Sequence, residues 1–296
     1  MLRVRVPATT ANLGAGFDCL GLALSLFNEV DAEAADGLDI RVEGEGATEL
    51  PTDATNLVWR AAQRVFDHVG RAPRGARLHL RNAIPLESGL GSSAAATVAG
   101  LMIGNGLVSA ALNEATLLDL AVAMEGHPDN VAPALLGGLV AAGQADSGRL
   151  LVERVATPAL TAVVVMPSFR LSTALARQAL PASVPRADAV FNLSHTALTL
   201  LALQRGDYVA LADAMADRLH QPYRAPLAPG LARALDAART LGAAAAISGA
   251  GPAVIAFTGG RYDEVGEAMR GAFATAGLAA RVWQLQVASG ASLTTA

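Results

Sequence analysis

A single cysteine, Cys19, stands in 296 residues, so the chain can form no internal disulfide and no cysteine-rich metal site, as expected in a reducing cytoplasm. Cys19 itself reads as a small buried apolar residue. Charge is also sparse: 16% of residues are charged, 4% are aromatic, the net charge is −4, and no basic run occurs. That combination leaves no footprint for nucleic acid, so any phosphate must be held locally. Long apolar runs are missing as well. Residues 159–167 fall well short of the roughly 20 apolar residues a spanning helix requires, so no membrane partner is expected. Residues 1–10 alternate Arg3 and Arg5 with Val4 and Val6 and lack the apolar core of a secretory signal. They read as a strand, and a soluble, cytoplasmic protein is expected.

What is present is apolar: 52% of residues are hydrophobic, enough for a sizeable core, and the length suits two domains or one large one. Short strand-like runs alternate with Ala/Leu-rich helical runs, without an internal repeat. Leu78 and Leu80 alternate with Arg77, His79 and Arg81, as in a half-buried strand that ends before Pro85. A glycine turn follows, then a helix over residues 93–103, then a second helix from the N-cap candidate Asn113 to Gly126. The second half opens with an apolar strand at 161–166. Helical stretches follow around Leu175, Leu200, Leu211 and Leu235, and then strands at 243–247 and 253–257, a helix near Val265 and a strand near Val282. Helices packed on one sheet are expected there. The polar stretch 144–149 is the expected domain boundary, giving domains 1–148 and 149–296.

The strongest local signal is Pro85-Leu86-Glu87-Ser88-Gly89-Leu90-Gly91-Ser92-Ser93-Ala94-Ala95. Glycines let the backbone approach an anion. The helix that follows leaves its first N–H groups unpaired, near a partial charge of roughly +0.5. Together they form a phosphate cradle, with serine hydroxyls available for phosphate oxygens or Mg²⁺. The absence of Gly-Lys-Ser or Gly-Lys-Thr rules out a Walker A loop. Gly89, Gly91 and Ala94 also fit a dinucleotide fingerprint, with Glu114 about 20 residues on as the ribose acid. Against this, residues 113–116 look like the first turn of a helix rather than the end of a parallel strand.

Glu125-Gly126-His127-Pro128-Asp129-Asn130 sets four polar groups directly after an apolar helix. A carboxylate at a helix C-terminus opposes the dipole and so suits a cation, with Mg²⁺ the natural choice beside phosphates. An Asx-turn or a cap for the next helix accounts for Asp129 and Asn130 equally well. At the N-terminus, Pro7-Ala8-Thr9-Thr10-Ala11-Asn12-Leu13-Gly14-Ala15-Gly16-Phe17-Asp18 is a turn of small residues with polar ends at Asn12 and Asp18. Ser248-Gly249-Ala250-Gly251-Pro252 is a sharp glycine turn between apolar strands, for which a bare hairpin suffices.

In this order the four segments resemble the GHMP kinase superfamily, whose Pro-x-x-x-Gly-Leu-Gly-Ser-Ser-Ala-Ala loop is matched in full. The opening segment and His127-Pro128-Asp129-Asn130-Val131-Ala132 look like its homoserine kinase branch, and the resemblance spans the chain. It implies an α+β, two-domain GHMP-kinase-like fold. The N-terminal domain would be ribosomal-protein-S5-like and bind ATP, and the C-terminal domain would be a ferredoxin-like α/β layer. The implied activity is ATP-dependent phosphorylation of the L-homoserine side-chain hydroxyl on the route to threonine, with Mg²⁺. The alternatives are another GHMP small-molecule kinase or a non-catalytic nucleotide and ligand sensor on the same scaffold. Oligomeric state is left open, a homodimer included.

By the same similarity, residues 85–95 would bind ATP, and Ser93 and Glu125 would hold Mg²⁺. Asn12, Asp18, His127, Thr173 and Arg224 would bind the amino acid, with Asp18 facing its ammonium. Asp129, Asn130 and Arg177 would act at the transfer site, where Asp129 would position rather than take the proton. Arg177 ends a Ser172-Thr173-x-x-x-Arg177 match, and Arg224 ends Gln221-Pro222-Tyr223-Arg224, where the family usually has Glu in place of Gln221. Taken singly, each arginine reads as an exposed helix-surface cation. Ala250 and Ala253 replace residues that often carry hydroxyls in the family.

Overall fold

A computed structural model describes residues 1–295. The first half runs β1 (Leu2–Ala11), β2 (Leu20–Ala34), β3 (Leu38–Gly44), α1 (Leu57–Val69), β4 (Ala76–Asn82), α2 (Ser92–Leu107), α3 (Glu114–Glu125), α4 (Pro128–Leu136), β5 (Leu139–Gln144) and β6 (Leu150–Val155). The second runs β7 (Thr161–Pro167), α5 (Thr173–Gln178), α6 (Arg186–Arg205), α7 (Tyr208–Ala214), α8 (Gln221–Arg224), a 3₁₀ turn (Ala225–Leu227), α9 (Leu231–Thr240), β8 (Ala244–Ile247), β9 (Val254–Phe257), α10 (Tyr262–Ala274), β10 (Ala280–Gln286) and β11 (Ser292–Thr295).

The first sheet has the order β11-β1-β2-β4-β3, with β5 pairing both β2 and β6. Only β3 and β4 run parallel, joined through α1. Period 2 explains its two faces. Val4, Val6, Leu78 and Leu80 are buried beneath helices, while Arg3 and Arg81 reach Asp31 on the solvent side at 2.6 and 2.9 Å. The Arg3 hydrogen bond, against the opposing effect of burial, holds the Asp31 carboxyl at about 2.

The second sheet, β10-β7-β9-β8, is antiparallel throughout. Strands β7, β8 and β9 lack polar alternation because both faces are covered, whereas the edge strand β10 keeps polar residues such as Arg281 and Gln286 exposed. Val163 and Val165 pack with Leu235, Val265 and Phe273 of α9 and α10. Val164 and Met166 point the other way, into the core shared with Leu203, Leu211 and the first sheet. Each such side chain contributes about 1.5–3 kcal/mol relative to exposure.

The boundary expected after residue 148 falls in the turn of the β5–β6 hairpin, whose strands pair from Leu139–Val155 to Gln144–Leu150. The first sheet therefore continues to Val155, and the second begins at Thr161. The polar character of residues 144–149 belongs to an exposed hairpin turn, not to an interdomain linker. The chain then returns, because β11 adds to the free edge of β1.

Candidate active site

A cavity of about 660 Å³ runs between the two halves. One end is apolar, with Val58 at the start of α1, Leu80 on β4 and Ala96 and Ala99 on α2. Asn56 caps α1 there, its side chain accepting from the Val58 N–H at 3.0 Å. Asn before an apolar helical run is a legible capping signal, though nothing in the sequence of this segment marks it as part of a ligand site.

The middle is the 85–95 loop. Leu86, Glu87, Ser88, Gly89, Gly91, Ser92, Ser93 and Ala95 line the cavity. Pro85, Leu90 and Ala94 do not; they are buried underneath and anchor the loop. Gly91 has φ +69°, and a Cβ there would lie 1.9 Å from Thr9 Oγ1. Gly89, at φ +79°, would place its Cβ 2.1 Å from the Ser248 carbonyl. The glycines thus serve a second purpose besides anion approach: the loop is clasped between β1 and the 248–252 turn. Ser248 Oγ completes the clasp, donating its one hydrogen to the Gly89 carbonyl at 2.7 Å and accepting from Thr10 Oγ1 at 2.9 Å. Hence 248–252 is more than a bare hairpin, and its remaining hydroxyl faces inward.

Ser93 opens the second turn of the site, at the start of α2. Its Oγ donates to Glu125 Oε2 at 3.0 Å, and Thr97, one helical turn later, donates to Oε1 at 2.9 Å. Glu125 ends α3, with Gly126 in the left-handed region as its cap. Among the described residues no cluster of three or more His, Cys, Asp or Glu forms a metal cage. One carboxylate and one hydroxyl facing a phosphate loop are, however, the donors Mg²⁺ takes when substrate phosphates supply the rest. Ser93 and Glu125 therefore fit that ion. Glu114 lies in the first turn of α3 rather than at the end of a parallel strand, so the dinucleotide arrangement does not exist here.

At the far end the chain brings together Asn12, Asp18, His127, Asp129, Asn130, Thr173, Arg177 and Arg224. Asp129, on the first turn of α4, makes no cap bond; its Oδ1 lies 2.6 Å from His127 Nδ1. That hydrogen bond raises the His127 imidazole above its ordinary value, partly offset by burial. Asn130 Oδ1 accepts from Thr9 Oγ1 at 2.8 Å. Both ends of the Asn12 amide are engaged within the protein. Nδ2 donates to the Gly249 carbonyl at 2.8 Å, and Oδ1 accepts from the Asp18 N–H at 3.0 Å. Asn12 and Asp18 take positive φ, 72° and 55°, a cost accepted where these bonds over-determine the loop.

The two arginines differ. Arg177 pairs with Asp18 through both guanidinium arms, at 2.8 and 3.0 Å. Arg224 is 2% exposed, which overturns its reading as a surface cation. Its partners are the carbonyls of Ala176 and Gly249, at 3.4 and 3.1 Å, and His220 Nδ1 at 3.4 Å, none of them a carboxylate. Burial, with Arg177 nearby, presses its pKa down. A buried guanidinium with neutral partners is ready to take an anion. Phe17, which the sequence reading did not single out, lies between the elements, with Arg224 5.1 Å and Arg177 5.9 Å from its ring centroid. Cys19 is half-buried beside this end, and burial first, then Asp129, pushes its thiol up to about 11, which disfavours the reactive thiolate.

Known proteins bear on this geometry. Residues 56–138 match the family model for the GHMP kinases N terminal domain, and residues 199–275 match that for the GHMP kinases C terminal. The chain is 49% identical to a homoserine kinase of Moorella thermoacetica, over 95% of this chain and 96% of that protein. It is 45% identical to one of Desulfitobacterium hafniense over 98% of each. The crystal structure of homoserine kinase from Cytophaga hutchinsonii superposes with a TM-score of 0.87 at 31% identity, covering 99% of this chain and 97% of that one. With a glycine-serine loop clasped between two sheets and full-length relatives of one kind, the chain belongs to the homoserine kinase family of GHMP kinases.

Proposed function

We propose that the protein transfers the γ-phosphoryl group of ATP to the side-chain hydroxyl of L-homoserine, yielding ADP and O-phospho-L-homoserine, in the cytoplasm. The observation that carries this reading is one cavity joining a phosphate loop to a carboxylate and two guanidinium groups, the complement of a zwitterion. Relatives named homoserine kinase support the same choice.

Phosphoryl transfer through a loose transition state asks mainly for placement and for charge stabilisation. Backbone N–H groups at the start of α2 and the positive end of its dipole would hold the nucleotide phosphates. Ser93 and Glu125, with Thr97 steadying the carboxylate, would bind Mg²⁺, which neutralises phosphate charge when present. At the acceptor end, Asp18 faces the ammonium, and Arg177 and Arg224 take the carboxylate. His127 and Asn130 line the transfer point, and Asp129, committed to His127, orients rather than deprotonates.

The test is ADP release from ATP with Mg²⁺ and, in turn, L-homoserine, mevalonate and galactose, with the product identified by ³¹P NMR. L-Homoserine should be by far the best acceptor, because mevalonate and galactose lack an ammonium for Asp18. Equal rates with mevalonate would overturn the assignment, and ligand binding without turnover would make the protein a sensor.

A further inference from the structure

His220 lies one residue before α8 and is 0% exposed. Its Nε2 is 2.7 Å from the Gly14 carbonyl oxygen, and its Nδ1 is 3.4 Å from Arg224 Nη1. A carbonyl only accepts and a guanidinium only donates. Those two partners leave one protonation state: neutral imidazole with the proton on Nε2 and the lone pair of Nδ1 facing Arg224. Burial, the largest influence on this ring, favours the same neutral form against the pull of Asp217, whose Oδ2 lies 3.7 Å from Nε2. The ring face stacks on Phe17 with centroids 5.2 Å apart, and Phe17 in turn lies under both arginines. His220 therefore touches the loop bearing Asp18, the aromatic platform and the buried guanidinium together.

We propose that His220 is a positioning residue for the amino-acid substrate, locking the 12–18 loop to Arg224 so that ammonium and carboxylate partners stand at a set separation. This rests on the homoserine reading of the cavity. Gly14 cannot supply the rigidity alone: at φ +79° it is the most permissive residue in the turn. Arg224, whose other hydrogen-bond partners are backbone carbonyls of α5 and the 248–252 turn, has no other side-chain hydrogen bond among the described residues, and the Phe17 ring at 5.1 Å offers it a face but no directional acceptor. His220 itself does not reach the substrate, which separates its role from those of Asp18 and the arginines.

The two nitrogens can be tested separately. In His220→Gln the amide nitrogen reaches the position of Nε2 and retains the Gly14 bond but offers Arg224 no acceptor; in His220→Asn the oxygen replaces Nδ1 and the Gly14 bond is lost. Hydrogen bonds to charged groups correspond to roughly 10- to 100-fold in affinity and neutral ones to roughly 2- to 10-fold, so His220→Gln should raise the homoserine KM about ten-fold or more and His220→Asn about two- to ten-fold. The KM for ATP should stay within about two-fold, and kcat at saturating homoserine within about three-fold. His220→Phe, which keeps the stacking and loses both bonds, should raise the homoserine KM further. A homoserine KM unchanged in the Gln and Asn variants, or a parallel rise in both KM values, would overturn the proposal. A wild-type enzyme that does not turn over homoserine would instead overturn the functional reading beneath it. A measurement on the intact wild type guards against variants that fail to fold. With ¹⁵N-labelled imidazoles, one histidine should remain neutral, protonated at Nε2, from about pH 5.5 to 8.5, spanning the ordinary histidine range, and its Nδ1 signal should move on adding homoserine but not ATP. Titration of every histidine in that range would refute the assignment.

Discussion

Asp18 and Arg177 form a two-armed ion pair across the end of the cavity opposite its apolar end, with Nη2 2.8 Å from Oδ1 and Nη1 3.0 Å from Oδ2. Their side chains are 35% and 37% exposed, so solvent screens the pair and its own contribution to stability is small. A zwitterion entering between them would offer an ammonium to Asp18 and a carboxylate to Arg177, replacing one pair by two. Asp18→Asn should therefore raise the homoserine KM roughly 10- to 100-fold, the range for hydrogen bonds to charged groups, with the ATP KM unchanged. Arg177→Ala should do likewise, and the double variant should lose less than the sum, since the partners share one ligand. Steady-state kinetics with each substrate varied in turn decides it; an Asp18→Asn enzyme with normal homoserine KM refutes the ammonium contact.

Glu125→Gln should increase the Mg²⁺ concentration needed for half-maximal rate while leaving the melting temperature nearly unchanged. The amide still accepts a hydroxyl from Ser93 or Thr97 but carries no charge to offset the ion. Mg²⁺ titrations of rate, alongside thermal unfolding, check both halves; an unchanged Mg²⁺ requirement removes Glu125 from the ion's surroundings.

Asp129→Asn should lower kcat by less than about 10²-fold, at the bottom of the usual general-base contribution. Asp129 already spends Oδ1 on His127 at 2.6 Å, and a loose transition state needs little early deprotonation. The acidic limb of the pH–rate profile should persist. A larger loss in a folded variant, with that limb gone, makes Asp129 the base.

The same hydrogen bond predicts a pH dependence of stability. Because it raises the pKa of His127 in the folded protein, the stabilisation is fully present below the unfolded-state value of about 6.5. It is lost as pH rises through the raised folded value. The melting-temperature gap between wild type and His127→Gln should thus be larger near pH 6 than near pH 9; a gap that widens with pH contradicts the pairing.

Local chemistry was legible without coordinates. The glycine-serine run announced a turn feeding a helix, Asn113 and Gly126 marked the ends of α3, and period-2 alternation marked β1 and β4. These depend on propensity, capping and alternation over a few residues, which a sequence carries in full. The family resemblance likewise rests on short contiguous motifs. Long-range pairing carries no such mark. That residues 144–149 turn a hairpin rather than divide domains depends on β5 pairing with β6. That Gly91 must lack a side chain because of Thr9, that Arg224 is buried, and that Phe17 and His220 stack beneath the arginines depend on segments up to some two hundred positions apart meeting in space. The residue types at the site were written in the chain; their partners were decided by packing, where burial strips a charge of water and leaves it whatever acceptors the fold supplies.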